Sequence, residues 1–182
     1  VNFLLSLSGG LMATYIVSKG DAFWTFSGGL AGIIGASAGN DLYHPMQALI
    51  IGAIVPVIAY KLHNYVERKF KIDDAVGAVA VHGYAGFLGV VIAGFVLWGA
   101  PSSPFEGYAV ITPWGQLAGA IIMFLVLGFI PAYVVARIQA ARGTLRIPAE
   151  VELQGLDLGG QQAYDDAVAE ITAASAKHIK SE

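Results

Sequence analysis

Five long apolar segments dominate this sequence, and almost no charged residue falls inside them. The two exceptions, Lys61 and Arg137, lie close to the ends of their segments. A helix needs roughly 20 apolar residues to cross the hydrocarbon core of a bilayer, and each segment reaches or nearly reaches that length. The sequence therefore predicts an all-α membrane protein, embedded in the lipid bilayer through about five transmembrane helices, at about residues 2–18, 23–39, 46–62, 75–98 and 114–139.

The composition excludes most other classes of protein. Apolar residues make up 56% of the 182 positions and charged residues 13%, with a mean hydropathy of +0.65, whereas a soluble domain carries about 25% charged residues. No basic run suggests a nucleic-acid partner. Cysteine is absent, which excludes disulfides, thiolate metal ligands and cysteine nucleophiles. Because the sequence also lacks a phosphate-binding loop, paired catalytic acids and a Ser–His arrangement, we expect no enzyme activity, no metal and no cofactor.

The second apolar segment is unusual because it contains few large side chains. Its central part reads SGGLAGIIGASAG, which is almost entirely small residues. Small residues allow helix backbones to approach closely. We therefore expect this span to be buried among other helices.

Lysine and arginine are confined to alternate connectors. They follow the first, third and fifth segments, whereas the connectors after the second and fourth contain none. Because positively charged loops stay in the cytoplasm, we expect the N-terminus of this chain outside the cell membrane and its C-terminus in the cytoplasm. We accordingly expect a transmembrane domain over residues 1–142 and a polar cytoplasmic tail over residues 143–182.

His82 is the one ionisable side chain that the sequence places near the middle of a predicted span. It lies eight residues after Asp74, about 12 Å along a helix, whereas His44, His63 and His178 fall in connectors or in the tail. Ionisable groups inside a membrane generally mark functional sites, and a neutral imidazole offers one donor and one acceptor. The pattern therefore favours a role in passing a small polar species. The alternative is a structural histidine that joins two helices by one hydrogen bond.

Two acids and three glycines flank this histidine. Asp73 and Asp74 stand where the fourth span begins, and carboxylates there accept hydrogen bonds from free N–H groups and complement the helix dipole. They are either ordinary caps or part of a functional site. Gly83, Gly86 and Gly89 leave one side of the helix without side chains, so that another helix packs there, a narrow pore runs beside it, or both.

The segment that contains these residues, DDAVGAVAVHGYAGFLG, closely resembles the motif of the ammonium transporter family (Amt, with its Mep and Rh relatives), and its Val-His-Gly form is similar to the Amt branch. Upstream, SGGLAGIIGASAG is similar to another family segment, and LRIPAEVELQGLDLGGQQAY is similar to the family's cytoplasmic tail. The resemblance implies paired inverted repeats, a homotrimer with one pore per subunit, and ammonium or ammonia as the transported species. The five spans would match the last five of that fold.

The resemblance also assigns roles to individual residues. His82 matches the second of two pore histidines, and Ala78, one turn earlier, matches a pore-lining position. Asp74, next to Asp73, matches the acid that supports the pore near its cytoplasmic end. In the tail, the resemblance implies a regulatory contact with a PII-class signal protein, and the family's His-Gly-Glu pattern is replaced there by Gly-Gly-Gln at residues 159–161, which weakens that expectation. The corresponding tail residues are Gly155, Leu156, Asp157 and Tyr164.

No segment matches the family's first pore histidine, its aromatic gate or its outer recruitment site, which belong to earlier spans. The chain also opens on Val1 without an initiator Met or a basic signal region, and we expect this end to be cut or processed. We therefore expect conduction only together with an N-terminal half or another membrane chain. The alternative is a degenerate half-transporter that serves as a structural or accessory subunit of a larger membrane complex.

Overall fold

The structure is a computed structural model that describes residues 1–103, 107, 109–146 and 165–166. The chain divides into two units, Val1–Ile130 and Pro131–Glu182. Across the described ranges the backbone is helical, and its only β feature is one isolated bridge between Pro101 and Val110. The α-helices are α1 (Asn2–Val17), α2 (Ala22–Ala36), α3 (Pro45–Phe70), α4 (Ala85–Val96), α5 (Pro113–Ile121) and α6 (Ile130–Ala141).

Two π-helical segments make some of these helices continuous. Val79–Tyr84 leads directly into α4, and Ile122–Phe129 joins α5 to α6. A short 3-10 turn, Ser37–Gly39, extends α2. Each of the five predicted apolar segments therefore corresponds to one helical body in the described part of the chain.

Local signals in the sequence explain where the helices begin. The Asp21 side chain accepts a hydrogen bond of 2.8 Å from the Trp24 N–H at the start of α2. Thr112 does the same for the Gly115 N–H at 3.1 Å, at the start of α5. His44 caps α3 with its imidazole. Such caps satisfy N–H groups that have no partner within the helix.

The first three helices pack against one another through small residues. A Cβ added at Gly9 would lie 2.5 Å from the Leu49 carbonyl oxygen, and one added at Gly52 would lie 2.5 Å from the Ser6 Cα. Backbones this close leave no room for larger side chains. The glycine-rich second segment is buried as expected, and its buried residues are Gly28, Gly29, Ala31, Gly32, Gly35 and Ala36.

Three helical bodies are long and apolar enough to cross a membrane: Pro45–Phe70, Val79–Val96 and Pro113–Ala141. The 16-residue α1 is a shorter apolar helix. Helix α3 extends well beyond its predicted end at residue 62. Only 6% of the most apolar stretch of Pro113–Ala141 is buried within the chain. Since apolar side chains exposed on this scale need lipid or protein around them, the chain is a membrane protein.

Candidate functional site

Asp74 fixes the start of the helix that carries His82. Its Oδ1 accepts a hydrogen bond from the Val79 N–H at 3.2 Å, and its Oδ2 accepts one from the Ala80 N–H at 3.0 Å. The chain can turn back to make these bonds because Gly77 adopts φ +64°, a left-handed conformation that glycine adopts without strain. One carboxylate thus satisfies two N–H groups of the first helical turn.

Asp73, the neighbouring acid, has a different environment. Its side chain is exposed, and within the described residues it forms neither a hydrogen bond nor an ion pair. Of the two acids singled out in the sequence, Asp74 alone makes the capping contacts.

His63 lies within helix α3 and close to Asp74. The expectation that it falls in a connector was wrong. Because α3 runs on to Phe70, His63 is inside the helix and only 8% exposed. Its Nδ1 lies 3.5 Å from the Asp74 Oδ2, and its Nε2 lies 3.7 Å from the Glu67 Oε2. The Trp24 ring packs edge-on against the imidazole, with centroids 4.6 Å apart.

A signal for this burial was present in the sequence. The buried side of α3 includes Ile51, Val55 and Ala59, and His63 continues this series at a spacing of four residues. Residues four apart lie on the same face of a helix. The spacing of His63 from these residues therefore indicates a position within the helix rather than in the connector.

His82 lies in the π-helical segment Val79–Tyr84 and is exposed on this chain. Ala78, one turn earlier, is exposed as well. Single π-helical turns occur frequently at functional sites because they redirect side chains. His82 opens onto a cavity of about 300 Å³, which is also lined by Gly83, Gly86, Phe87, Val90, Ala120, Met123 and Phe124.

The cavity is formed between two helical bodies of the same unit. Phe87 of α4 and Phe124 of the second π-helical segment meet edge to face, with centroids 6.0 Å apart. Among the described lining residues, His82 carries the only ionisable side chain. The arrangement presents a single donor–acceptor group against an apolar surface.

The three glycines after His82 have different surroundings. A Cβ added at Gly83 would lie 3.3 Å from the Phe124 ring, and one added at Gly86 would lie 3.7 Å from the Ile34 side chain. Gly89 is buried directly against the backbone of Gly35 in α2. Gly89 therefore packs two helices together, whereas Gly83 and Gly86 line the cavity.

The predicted tail site cannot be compared in the same way. Gly155, Leu156, Asp157 and Tyr164 lie outside the described residues, as does His178.

The sequence profile of the Ammonium Transporter Family matches residues 1–164. The chain belongs to the ammonium transporter family. It is 34% identical to the ammonium transporter Amt2 of Methanocaldococcus jannaschii over 159 residues, a match that covers 85% of this chain and 36% of the relative. It is 29% identical to the ammonium transporter of Corynebacterium glutamicum over 168 residues, which covers 86% of this chain and again 36% of the relative.

The fold agrees with this assignment. A solved structure described as a sensor Amt protein superposes with a TM-score of 0.64 at 24% identity, and the match covers 85% of this chain and 39% of that one. The chain thus spans somewhat more than a third of the length of the relatives that it matches. These relatives are named as transporters rather than as enzymes.

Proposed function

We propose that this family member forms part of a pore that passes ammonium or ammonia across the cell membrane, with His82 as the group that exchanges hydrogen bonds with the transported species. The observation that carries the proposal is the environment of His82. The imidazole is exposed towards a cavity whose other lining residues are apolar or glycine.

This environment suits a small hydrogen-bonding species. The apolar wall offers few competing hydrogen bonds, so a passing molecule depends on the imidazole for a partner. Gly83 and Gly86 line the cavity next to His82 without side chains of their own. Asp74 accepts hydrogen bonds from the first turn of that helix, so in this proposal it has a supporting role. Ala78, one turn before His82, is exposed and is proposed to line the pore.

Further polypeptide completes the pore in this proposal. His82 is exposed on the chain itself, and an unsatisfied polar group in lipid costs several kcal/mol. The chain also matches somewhat more than a third of each relative. An N-terminal half or another membrane chain therefore supplies the opposite wall, and the chain alone does not conduct.

The wider organisation follows from the charge pattern and the family. Residues 1–142 form the transmembrane domain and residues 143–182 the cytoplasmic tail, with the N-terminus of the chain outside the cell, because lysine and arginine follow only the first, third and fifth spans. The chain acts as a transporter subunit, not as an enzyme, and it assembles as a homotrimer. Regulation by a PII-class signal protein at the tail remains a prediction from the resemblance.

The test is uptake of methylammonium, an ammonium analogue, into proteoliposomes. The chain is reconstituted alone and together with the region that precedes the match in Amt2 of M. jannaschii. We expect uptake only in the second case, and we expect His82→Ala to change its rate or selectivity without removing the protein from the membrane. The matched control is His44→Asn, because His44 caps α3 away from the cavity and asparagine also caps helices.

Two outcomes contradict parts of this proposal. Uptake by the chain alone would show that the missing wall is not needed. A folded, complemented complex that passes no ammonium would favour the alternative, in which the chain is an accessory subunit of a larger membrane complex.

A further inference from the structure

A second cavity, of about 490 Å³, lies beside the cavity of His82 within the unit Val1–Ile130. Three residues line both cavities, namely Gly83, Phe87 and Phe124. The rest of the second lining consists of Leu62, Tyr84, Leu88, Ile121 and Leu125. Among these described residues none is acidic or basic. Because residues that line both cavities stand between them, the three shared residues form a partition.

Two aromatic rings make up most of this partition. The rings of Phe87 and Phe124 are inclined at 72° to each other, with centroids 6.0 Å apart, which is a favourable edge-to-face arrangement. The Phe124 ring also rests close to the backbone of Gly83, where an added Cβ would lie 3.3 Å from the Phe124 Cε2. Because Phe124 is 39% exposed, its truncation enlarges an open cavity and leaves no fully buried void.

The partition limits the space next to His82. A molecule that exchanges a hydrogen bond with the imidazole occupies a cavity of about 300 Å³, and the Phe87 and Phe124 rings are part of its wall. Aromatic and aliphatic groups do not select a cargo by hydrogen bonding, so this wall distinguishes molecules by their volume. One additional methylene group in a hydrophobic pocket changes specificity by roughly 10- to 200-fold.

We propose that Phe124 is a specificity-determining residue, whose ring sets the largest alkylated ammonium that passes His82. This inference rests on the proposed function, in which the cargo passes the imidazole. The ring separates the cavity of His82 from the larger apolar cavity, so that one methyl group on the cargo fits and an ethyl group meets the ring. Without the ring the two cavities merge, and the longer alkyl group extends into the second one.

The test is the ratio of methylammonium to ethylammonium uptake by the complemented complex in proteoliposomes. Both amines are measured on the same vesicles, so the ratio does not depend on the amount of folded protein. We expect the parent to favour methylammonium, and Phe124→Ala to lower the ratio by about tenfold or more. Phe124→Leu keeps part of the wall and should have a smaller effect in the same direction.

Phe95→Ala is the matched control. Phe95 belongs to α4, is 62% exposed and lies in the lining of neither cavity, so the same truncation there should leave the ratio unchanged. A separate measurement on the purified chain examines the position of the ring. Gly83→Ala should lower the unfolding temperature less in the Phe124→Ala background than in the parent, because the added methyl group then meets no ring.

The possible failures are distinguishable. Methylammonium uptake with an unchanged ratio in the Phe124 variants would overturn this inference and leave the proposed function intact, and the ring would then serve helix packing alone. Equal uptake of the two amines by the parent, or an equal change in Phe95→Ala, would also overturn it. A folded parent complex that takes up no methylammonium would overturn both proposals. If Phe124→Ala does not fold, the ratio measured for Phe124→Leu decides.

Discussion

The imidazole Nδ1 of His63 lies 3.5 Å from the Oδ2 of Asp74, and the same carboxylate accepts the backbone N–H groups of Val79 and Ala80. One side chain therefore joins the end of α3 to the beginning of the helix that carries His82. Contacts shared by a single carboxylate are coupled, so a change in one should alter the energetic value of the other.

We expect Asp74→Ala to lower the free energy of unfolding by about 1–2 kcal/mol through loss of the cap. Asp74→Asn should cost less, because asparagine retains a capping oxygen. Combining Asp74→Ala with His63→Ala should give a coupling energy of about 0.5–3 kcal/mol in denaturant unfolding of the detergent-solubilised protein. Asp73→Ala is the matched control and should change stability by no more than about 0.5 kcal/mol. Strict additivity of the His63 and Asp74 variants would contradict the coupling.

The glycines after His82 should differ in their tolerance of a methyl group. Gly89→Ala should destabilise the protein by about 1–3 kcal/mol, because its Cβ would meet the Gly35 backbone. Gly119→Ala is the control within α5, where an added Cβ has nothing within 4 Å, and it should stabilise the helix by about 0.5–1 kcal/mol. Gly86→Ala should fold normally and reduce uptake by the complemented pore. Thermal unfolding and methylammonium uptake separate these cases, and equal destabilisation at residues 89 and 119 would contradict the packing argument.

The sequence predicts the helices well because transmembrane segments must satisfy their own backbone hydrogen bonds. Long apolar runs are therefore visible without tertiary information. The burial of the glycine-rich span could also be predicted from sequence, because its small residues allow helix backbones to approach closely.

The contacts of His63 with Asp74 and Trp24 could not be predicted as readily. The end of α3 carries charged residues up to Phe70, so hydropathy marks the membrane boundary and not the end of the helix. The contact between His63 and Asp74 also depends on the turn at Gly77. Apolar pattern alone does not specify how a chain returns after a helix.

Burial of Tyr43 should make stability depend on alkaline pH. Tyr43, in the connector between α2 and α3, is 4% exposed, and burial raises its pKa to about 12, against an ordinary value of about 10. Between these pH values the folded state keeps a proton that the unfolded state has lost, so stability falls as pH rises, by up to roughly 3 kcal/mol. Tyr43→Phe should remove this part of the pH dependence.

The measurement is the free energy of unfolding from pH 9 to 12 for the parent protein and the variant. Tyr15→Phe is the control, because Tyr15 is 59% exposed. The difference between the parent and Tyr43→Phe isolates one phenol from the other groups that titrate in this range. If the two pH profiles are parallel, the buried phenol does not contribute.

The distribution of lysine and arginine predicts the orientation of the chain, and the absence of cysteine makes the prediction simple to test. Ser102 lies in the connector between the fourth and fifth spans, and Arg142 follows the fifth, and both side chains are exposed. We expect Ser102→Cys to react with a membrane-impermeant maleimide on intact cells, whereas Arg142→Cys should react only after the membrane is permeabilised.

Permeabilised cells provide the control for each variant, because both cysteines should then react and failure to do so would reveal local protection. In the sequence, Ser102 precedes and Arg142 follows the candidate span Pro113–Ala141, so a helix that crosses the bilayer there would place the two positions on different sides. Labelling of residue 142 and protection of residue 102 on intact cells would contradict the predicted orientation. Equal labelling of both would show that this helix does not cross the membrane, which its length and its nearly complete exposure of apolar side chains argue against.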